Sequence, residues 1–229
     1  MGEWVQVSVP DGQFKAYVAR PTGPVRGAVV VIQEIFGVNE GIRGKAEWLA
    51  KEGFLAIAPD LFWRLEPGVE LTDQTEAGWT RAFELMNAFK ADTGVTDIQA
   101  TIAKARELGA AKVGAVGYCL GGLLAYLTAC RTDADASVGY YGVSIDTFLG
   151  EAANIKKPVM LHVAAKDQFV KPDAQAKIVD GLKSNPNATV HLYAEQDHAF
   201  TRVGGQHYDA AAAKIADDRT VALFKKALA

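Results

Sequence analysis

The sequence predicts an α/β fold: a doubly wound, mostly parallel sheet with an antiparallel hairpin at its N-terminal side. Three observations predict it. Short, continuous apolar runs recur along the chain, as in strands covered on both faces. Segments with apolar residues at helical spacing separate those runs. The first two extended segments alternate apolar and polar residues instead, which marks a pair with one wet face.

The hairpin comes first. Residues 5–9 alternate, Pro10-Asp11-Gly12 turns the chain, and residues 14–18 resume the alternation. Residues 28–32 are the first continuous apolar run, followed by 55–58, 112–116 and 158–163, with a shorter candidate at 137–141. Residues 189–193 alternate more and read as a strand nearer an edge. Helices are expected over 42–52, 73–90, 96–108, 172–183 and 208–228. The third opens on a Thr-x-x-Gln capping pattern at Thr96 and ends at Gly109; the fourth has Pro172 in its first turn. In the second, Trp79, Phe83, Met86 and Phe89 fall on one face. Strands alternating with helices wind a parallel sheet through right-handed crossovers.

No repeat, low-complexity tract or Pro/Gly-rich linker interrupts the chain, so residues 1–229 are expected to form one domain, large enough to bury a sizeable core. A net charge of −3 gives no electrostatic reason to expect nucleic acid or an anionic membrane as partner. The N-terminal residues lack a basic start and an apolar stretch, and no segment is apolar enough to span a bilayer, so a cytoplasmic protein is expected. Cys119 and Cys130 are then free thiols. A monomer is expected, since no long exposed apolar helix or edge strand demands a partner. No His/Cys/acid spacing suggests a metal, and no glycine-rich phosphate loop suggests a nucleotide; no cofactor is expected.

The most informative segment is residues 113–122. An apolar strand runs into Gly117-x-Cys119-x-Gly121 and then into a helical pattern. This is the strand–turn–helix of a nucleophile elbow with cysteine in place of serine, as in the α/β-hydrolase fold. The helix N-terminus supplies unpaired N–H groups and partial positive charge, which favour a thiolate. Cys130, with no glycines around it, reads as a structural thiol. Chain order supplies the partners: nucleophile, acid, histidine. Asp167 follows the run 158–163 and His198 follows 189–193, both at the carboxyl ends of strands, where parallel sheets place their chemistry. Asp146 and Asp173 resemble turn or helix-start residues, and Asp197 a loop hydrogen-bonder. His162 and His191 lie inside strands as core residues, and His207 begins the last helix.

Together, Gln33-Glu34-Ile35-Phe36-Gly37, Ala58-Pro59-Asp60-Leu61, Gly117-Tyr118-Cys119-Leu120-Gly121-Gly122, Asp167 and Asp197-His198-Ala199-Phe200 resemble the dienelactone hydrolase family, the carboxymethylenebutenolidases, over nearly the whole chain. The resemblance implies a Cys119–His198–Asp167 triad and a role for Glu34 in activating the thiol. The backbone N–H groups of Ile35 and Leu120 are expected to form the oxyanion hole. It further implies arginines that clamp a substrate carboxylate, for which Arg202 and Arg81 are the candidates. Phe36 and Trp63 are candidate pocket walls. The expected activity is opening of a lactone or ester, carboxylate-bearing, through an acyl-thiol intermediate. A general carboxylesterase or thioesterase of the same fold is the alternative. A non-catalytic binding protein on the hydrolase scaffold is disfavoured by the intact triad, elbow and Glu34.

Overall fold

The computed structural model describes residues 2–229. Its eight strands are β1 (Glu3–Val9), β2 (Gly12–Ala19), β3 (Ala28–Ile32), β4 (Leu55–Pro59), β5 (Val113–Tyr118), β6 (Ala136–Tyr140), β7 (Val159–Ala164) and β8 (Ala188–Tyr193). They form one sheet in the order β1-β2-β4-β3-β5-β6-β7-β8. The β1/β2 and β2/β4 pairs are antiparallel and all others are parallel. The hairpin thus caps one side of a parallel sheet, as the alternation of its residues requires. Strands β3 to β7 are buried along their whole length, whereas edge strand β8 is partly exposed.

Helices α1 (Glu40–Lys51), α2 (Glu76–Ala88), α3 (Ala91–Glu107), α4 (Leu120–Arg131), α5 (Pro172–Leu182) and α6 (Ala210–Ala227) cover the sheet, with a 3₁₀ segment at Ile145–Asn154. Among the described residues no helix is long and apolar enough to cross a membrane. Three helix starts differ from the sequence reading. Helix α2 begins at Thr75, whose hydroxyl accepts the Gly78 N–H at 3.1 Å, so Asp73 lies ahead of it in a loop. Helix α3 begins five residues before Thr96, after an extended break at Phe89 and Lys90; the Thr96 hydroxyl turns inward along the helix to the Asp92 carbonyl instead of capping. Helix α6 is capped by Asp209 on the Ala212 N–H at 2.9 Å, which leaves His207 and Tyr208 outside it.

The join between β5 and α4 is a single residue, Cys119, and glycines make it possible. A Cβ at Gly117 would collide with the Gly121 carbonyl, and one at Gly121 would sit 2.5 Å from the carbonyl oxygens of both Ile32 and Gln33. The first turn of α4 therefore rests directly on the end of β3. That contact brings residues 33–35, the loop after β3, beside the turn that carries Cys119. Gly121→Ala is expected to force these backbones apart and to lower the free energy of unfolding by about 1–3 kcal/mol, the usual cost of overpacking. Urea denaturation of the variant against the wild type checks it, and an unchanged midpoint would remove the glycine seat as a constraint.

Candidate active site

Cys119 adopts φ 57° and ψ −114°, a left-handed backbone outside the region cysteine prefers. Strain of this kind costs on the order of 1–3 kcal/mol and persists only where the surroundings fix it. Here the Cys119 N–H donates to the Tyr140 carbonyl at 3.1 Å, and the Cys119 carbonyl accepts from Gly122 at 2.9 Å and Leu123 at 3.3 Å. Leu120, first residue of α4, has no intrahelical acceptor for its N–H. Ile35 is buried in the loop after β3, the loop seated against this turn. Tyr141 and Ala199 also have positive φ, 38° and 61°, one just after β6 and the other just after His198.

Asp167 and His198 come from the loops after β7 and β8. Backbone bonds tie those loops together: Ala165 donates to Tyr193 at 3.0 Å and Lys166 to Gln196 at 2.8 Å. Asp167 Oδ1 accepts the N–H groups of Phe169 at 2.8 Å and Val170 at 3.2 Å, which fixes the carboxylate and leaves Oδ2 to pair with His198 Nδ1 at 2.8 Å. Both side chains are almost wholly buried. The imidazole lies between the edges of Tyr141, at 5.1 Å, and Phe169, at 4.8 Å. Cys119 lies close enough for its charge to act on the imidazole. Burial is the strongest single influence and pushes the His198 pKa down, but the interactions with Cys119 and Asp167, the negative charge at Cys119 first among them, together outweigh it; the net is a pKa of about 10. Asp197 is held away from this relay, with Oδ1 accepting its neighbour His198's N–H at 2.6 Å.

The second cluster is ionic. Arg202 Nε and Nη2 donate to Glu34 Oε2 at 2.8 Å and Oε1 at 2.9 Å, and Nη1 donates to Asp73 Oδ2 at 2.8 Å. The guanidinium also lies over the Phe36 ring, 5.1 Å from its centroid. Glu34 in this state is committed to Arg202, which keeps both its oxygens from Cys119. A cleft of about 260 Å³ runs between the two clusters; its walls include Asp73, Trp79, Phe169, His198, Ala199 and Arg202. Cys119 itself is buried, 6 % exposed. A larger groove of about 1080 Å³ shares the Arg202 and Asp73 wall and adds Glu34 and Tyr118.

Two expected substrate-binding residues lie elsewhere. Arg81 is on the outward face of α2, tied to Glu66 and Glu84 at 2.6 Å each, because those carboxylates flank it in the folded chain. Trp63 turns toward β2, stacking on Phe14 at 5.8 Å and donating to Asp97 at 3.0 Å, so it is a packing residue. Phe36 supports Arg202 and meets Trp79 edge-on at 5.0 Å from a fully buried position. In place of Arg81 and Trp63, the fold brings Asp73, Trp79, Phe169 and Tyr141 to the site. Asp73 looked like a helix start and Trp79 like a core-facing residue. Phe169, two residues after Asp167, carried the one legible signal, since it shares the loop after β7 with that candidate residue.

His162 is a buried core residue bonded to Tyr193 at 2.8 Å and Thr220 at 3.1 Å; His191 is half-buried and stacks on it at 5.7 Å. Burial pushes the Cys130 thiol up to about 11, the mark of an inert structural cysteine. Among the described residues no cluster of three or more His, Cys, Asp or Glu could hold a metal ion.

An eight-stranded, mostly parallel sheet, a strained strand–helix turn presenting Cys119, and an Asp–His pair on the next strand ends define an α/β-hydrolase. The dienelactone hydrolase family profile matches residues 14–228. A protein of Azospirillum brasilense provisionally named carboxymethylenebutenolidase is 48 % identical over 97 % of this chain and 98 % of its own. The carboxymethylenebutenolidase of Pseudomonas putida is 39 % identical over 95 % and 93 %. A crystal structure from Klebsiella pneumoniae, of a protein provisionally named dienelactone hydrolase, superposes with a TM-score of 0.87 at 29 % identity, covering 98 % of both chains. The chain belongs to the dienelactone hydrolase family.

The His198 pKa of about 10 stands above the ordinary 6.5. The stability this protonation contributes is therefore fully present below about 6.5 and is lost as the pH rises through about 10. The largest upward cause is the Cys119 charge, so Cys119→Ser is expected to lower the His198 pKa. Histidine-ring NMR titration of the two proteins measures it; an unmoved His198 would separate the imidazole from the sulfur.

Proposed function

We propose that this chain hydrolyses carboxylic esters or lactones through an acyl-thiol intermediate on Cys119. The observation that supports it most is the buried relay in which Asp167, fixed by two backbone N–H groups, orients His198 toward Cys119. The Cys119 thiol gives its proton to His198, the resulting thiolate attacks the carbonyl carbon, and the N–H groups of Ile35 and Leu120 hold the oxygen as it becomes negative. As the tetrahedral adduct collapses, protonated His198 gives its proton to the leaving alkoxide or enolate. A water, deprotonated by the now neutral His198, attacks the thioester; the acid leaves and the sulfur is restored. Asp167 keeps the proton of His198 on Nδ1 between these steps and stabilises the imidazolium. Glu34 can accept a thiol proton only after leaving Arg202; while it stays, it holds the guanidinium as a wall of the cleft.

Relatives bearing the name carboxymethylenebutenolidase favour a lactone. A broader carboxylesterase is favoured by the aromatic walls Trp79 and Phe169, which suit many acyl or alcohol groups. Both readings share the chemistry. Cys119→Ala is expected to lower kcat/KM at least about 10³-fold on any ester or lactone turned over, as loss of a nucleophile does. Rapid-quench mass spectrometry of the wild type is expected to find one acyl group, on Cys119. Retained turnover in Cys119→Ala would overturn the mechanism.

A further inference from the structure

The cleft wall carries one guanidinium, Arg202, held by Asp73 of the same wall and by Glu34, which lines the adjoining groove. Arg202 donates through Nε and Nη2 to Glu34 and through Nη1 to Asp73, so its charge is more than neutralised where it meets the cleft. Burial would push the Asp73 carboxyl up, but hydrogen bonds from Gln74 and Arg202 and the charge of Arg202 hold it below the usual carboxylate range, so it stays ionised. A substrate carboxylate reaching Arg202 has to displace one of these two anions or sit beside them, and either is unfavourable. Arg81, the other candidate for such a carboxylate, is occupied outside the cleft by Glu66 and Glu84. His207, at the rim, faces Asp197 at 3.8 Å. What the cleft offers a substrate instead is aromatic surface: Trp79, packed between Phe36 and Phe83, and Phe169, 43 % exposed and set edge-on to His198.

We propose that Asp73 is a specificity-determining residue: by sharing Arg202 with Glu34 it closes the guanidinium to a substrate carboxylate, and the substrate is an uncharged ester or lactone whose apolar group lies against Trp79 and Phe169. This rests on the hydrolase reading above and names the substrate class of the same site.

The test uses a pair of esters with one leaving group, 4-nitrophenyl hexanoate and the mono-4-nitrophenyl ester of adipic acid, which differ by a terminal carboxylate. The readout is the ratio of the two kcat/KM values, after subtraction of uncatalysed hydrolysis, because a general loss of activity does not move a ratio. The wild type is expected to favour the hexanoate. Asp73→Asn keeps a side-chain oxygen for Arg202 but removes the charge, and is expected to reduce that preference about tenfold, chiefly through a lower KM for the adipate ester, a change of about 1.4 kcal/mol. Asp73→Glu, which retains the charge, is expected to keep the wild-type ratio. A wild type that favours the adipate ester, or an Asp73→Asn ratio equal to that of the wild type, overturns the proposal and leaves the hydrolase standing. Turnover of neither ester by the wild type overturns the hydrolase reading and this proposal with it.

Discussion

Cys119 sits at the start of helix α4, whose first turn lies against the carbonyls that end β3. Side chains would keep a helix about a side-chain radius from a strand end; Gly117 and Gly121 remove that spacing. The same contact sets the loop carrying Glu34 and Ile35 next to the turn carrying Cys119 and Leu120. Residues from distant parts of the sequence thus become neighbours through a backbone contact. The left-handed φ of Cys119 is the local cost of this geometry, and the hydrogen bonds to Tyr140, Gly122 and Leu123 offset it.

Two charge systems share the cleft, and they are built differently. Asp167 and His198 form a relay with a direction: backbone donors fix one carboxylate oxygen, the other orients the imidazole, and the imidazole faces the sulfur. Arg202, Glu34 and Asp73 form a clamp, with both Glu34 oxygens and one from Asp73 on one planar cation. Within the clamp, burial pushes the Asp73 carboxyl up, but hydrogen bonds from Gln74 and Arg202 and the Arg202 charge outweigh it and hold the group below the usual carboxylate range. Buried ions of this kind add little to stability over an apolar wall of the same shape, but removing one partner leaves the others uncompensated. The clamp is therefore better understood as fixing the shape and field of the cleft than as holding the fold together.

Strand positions were legible because a strand buried on both faces must be apolar throughout, and β3 to β7 are. Cys119, Asp167 and His198 were legible for a topological reason: each sits at the carboxyl end of a parallel strand, a place that chain order alone defines. Helix starts were less so. The hydroxyl of Thr96 satisfies its own helix's backbone as readily as it could cap one, so the pattern did not distinguish the two. Arg81 and Trp63 were misplaced because both depend on which way a residue near α2 or after β4 faces, and that is set by tertiary partners, Glu66 and Glu84 for one and Phe14 and Asp97 for the other. Asp73 escaped notice for the same reason in reverse. Its partner is Arg202, 129 residues away, and no local pattern announces such a pair.

The position of Cys130 bears on the fate of the protein under oxidative conditions. It lies near the far end of α4, eleven residues and thus about 16 Å of helix from Cys119, well beyond the reach of a disulfide. A peroxide that converts Cys119 to a sulfenic acid meets no second thiol within the chain to resolve it. Rescue then depends on a small thiol diffusing into a cleft of about 260 Å³, and in its absence further oxidation to the sulfinic acid is irreversible. The fold that separates the two sulfurs thereby leaves Cys119 without a built-in route back from oxidation.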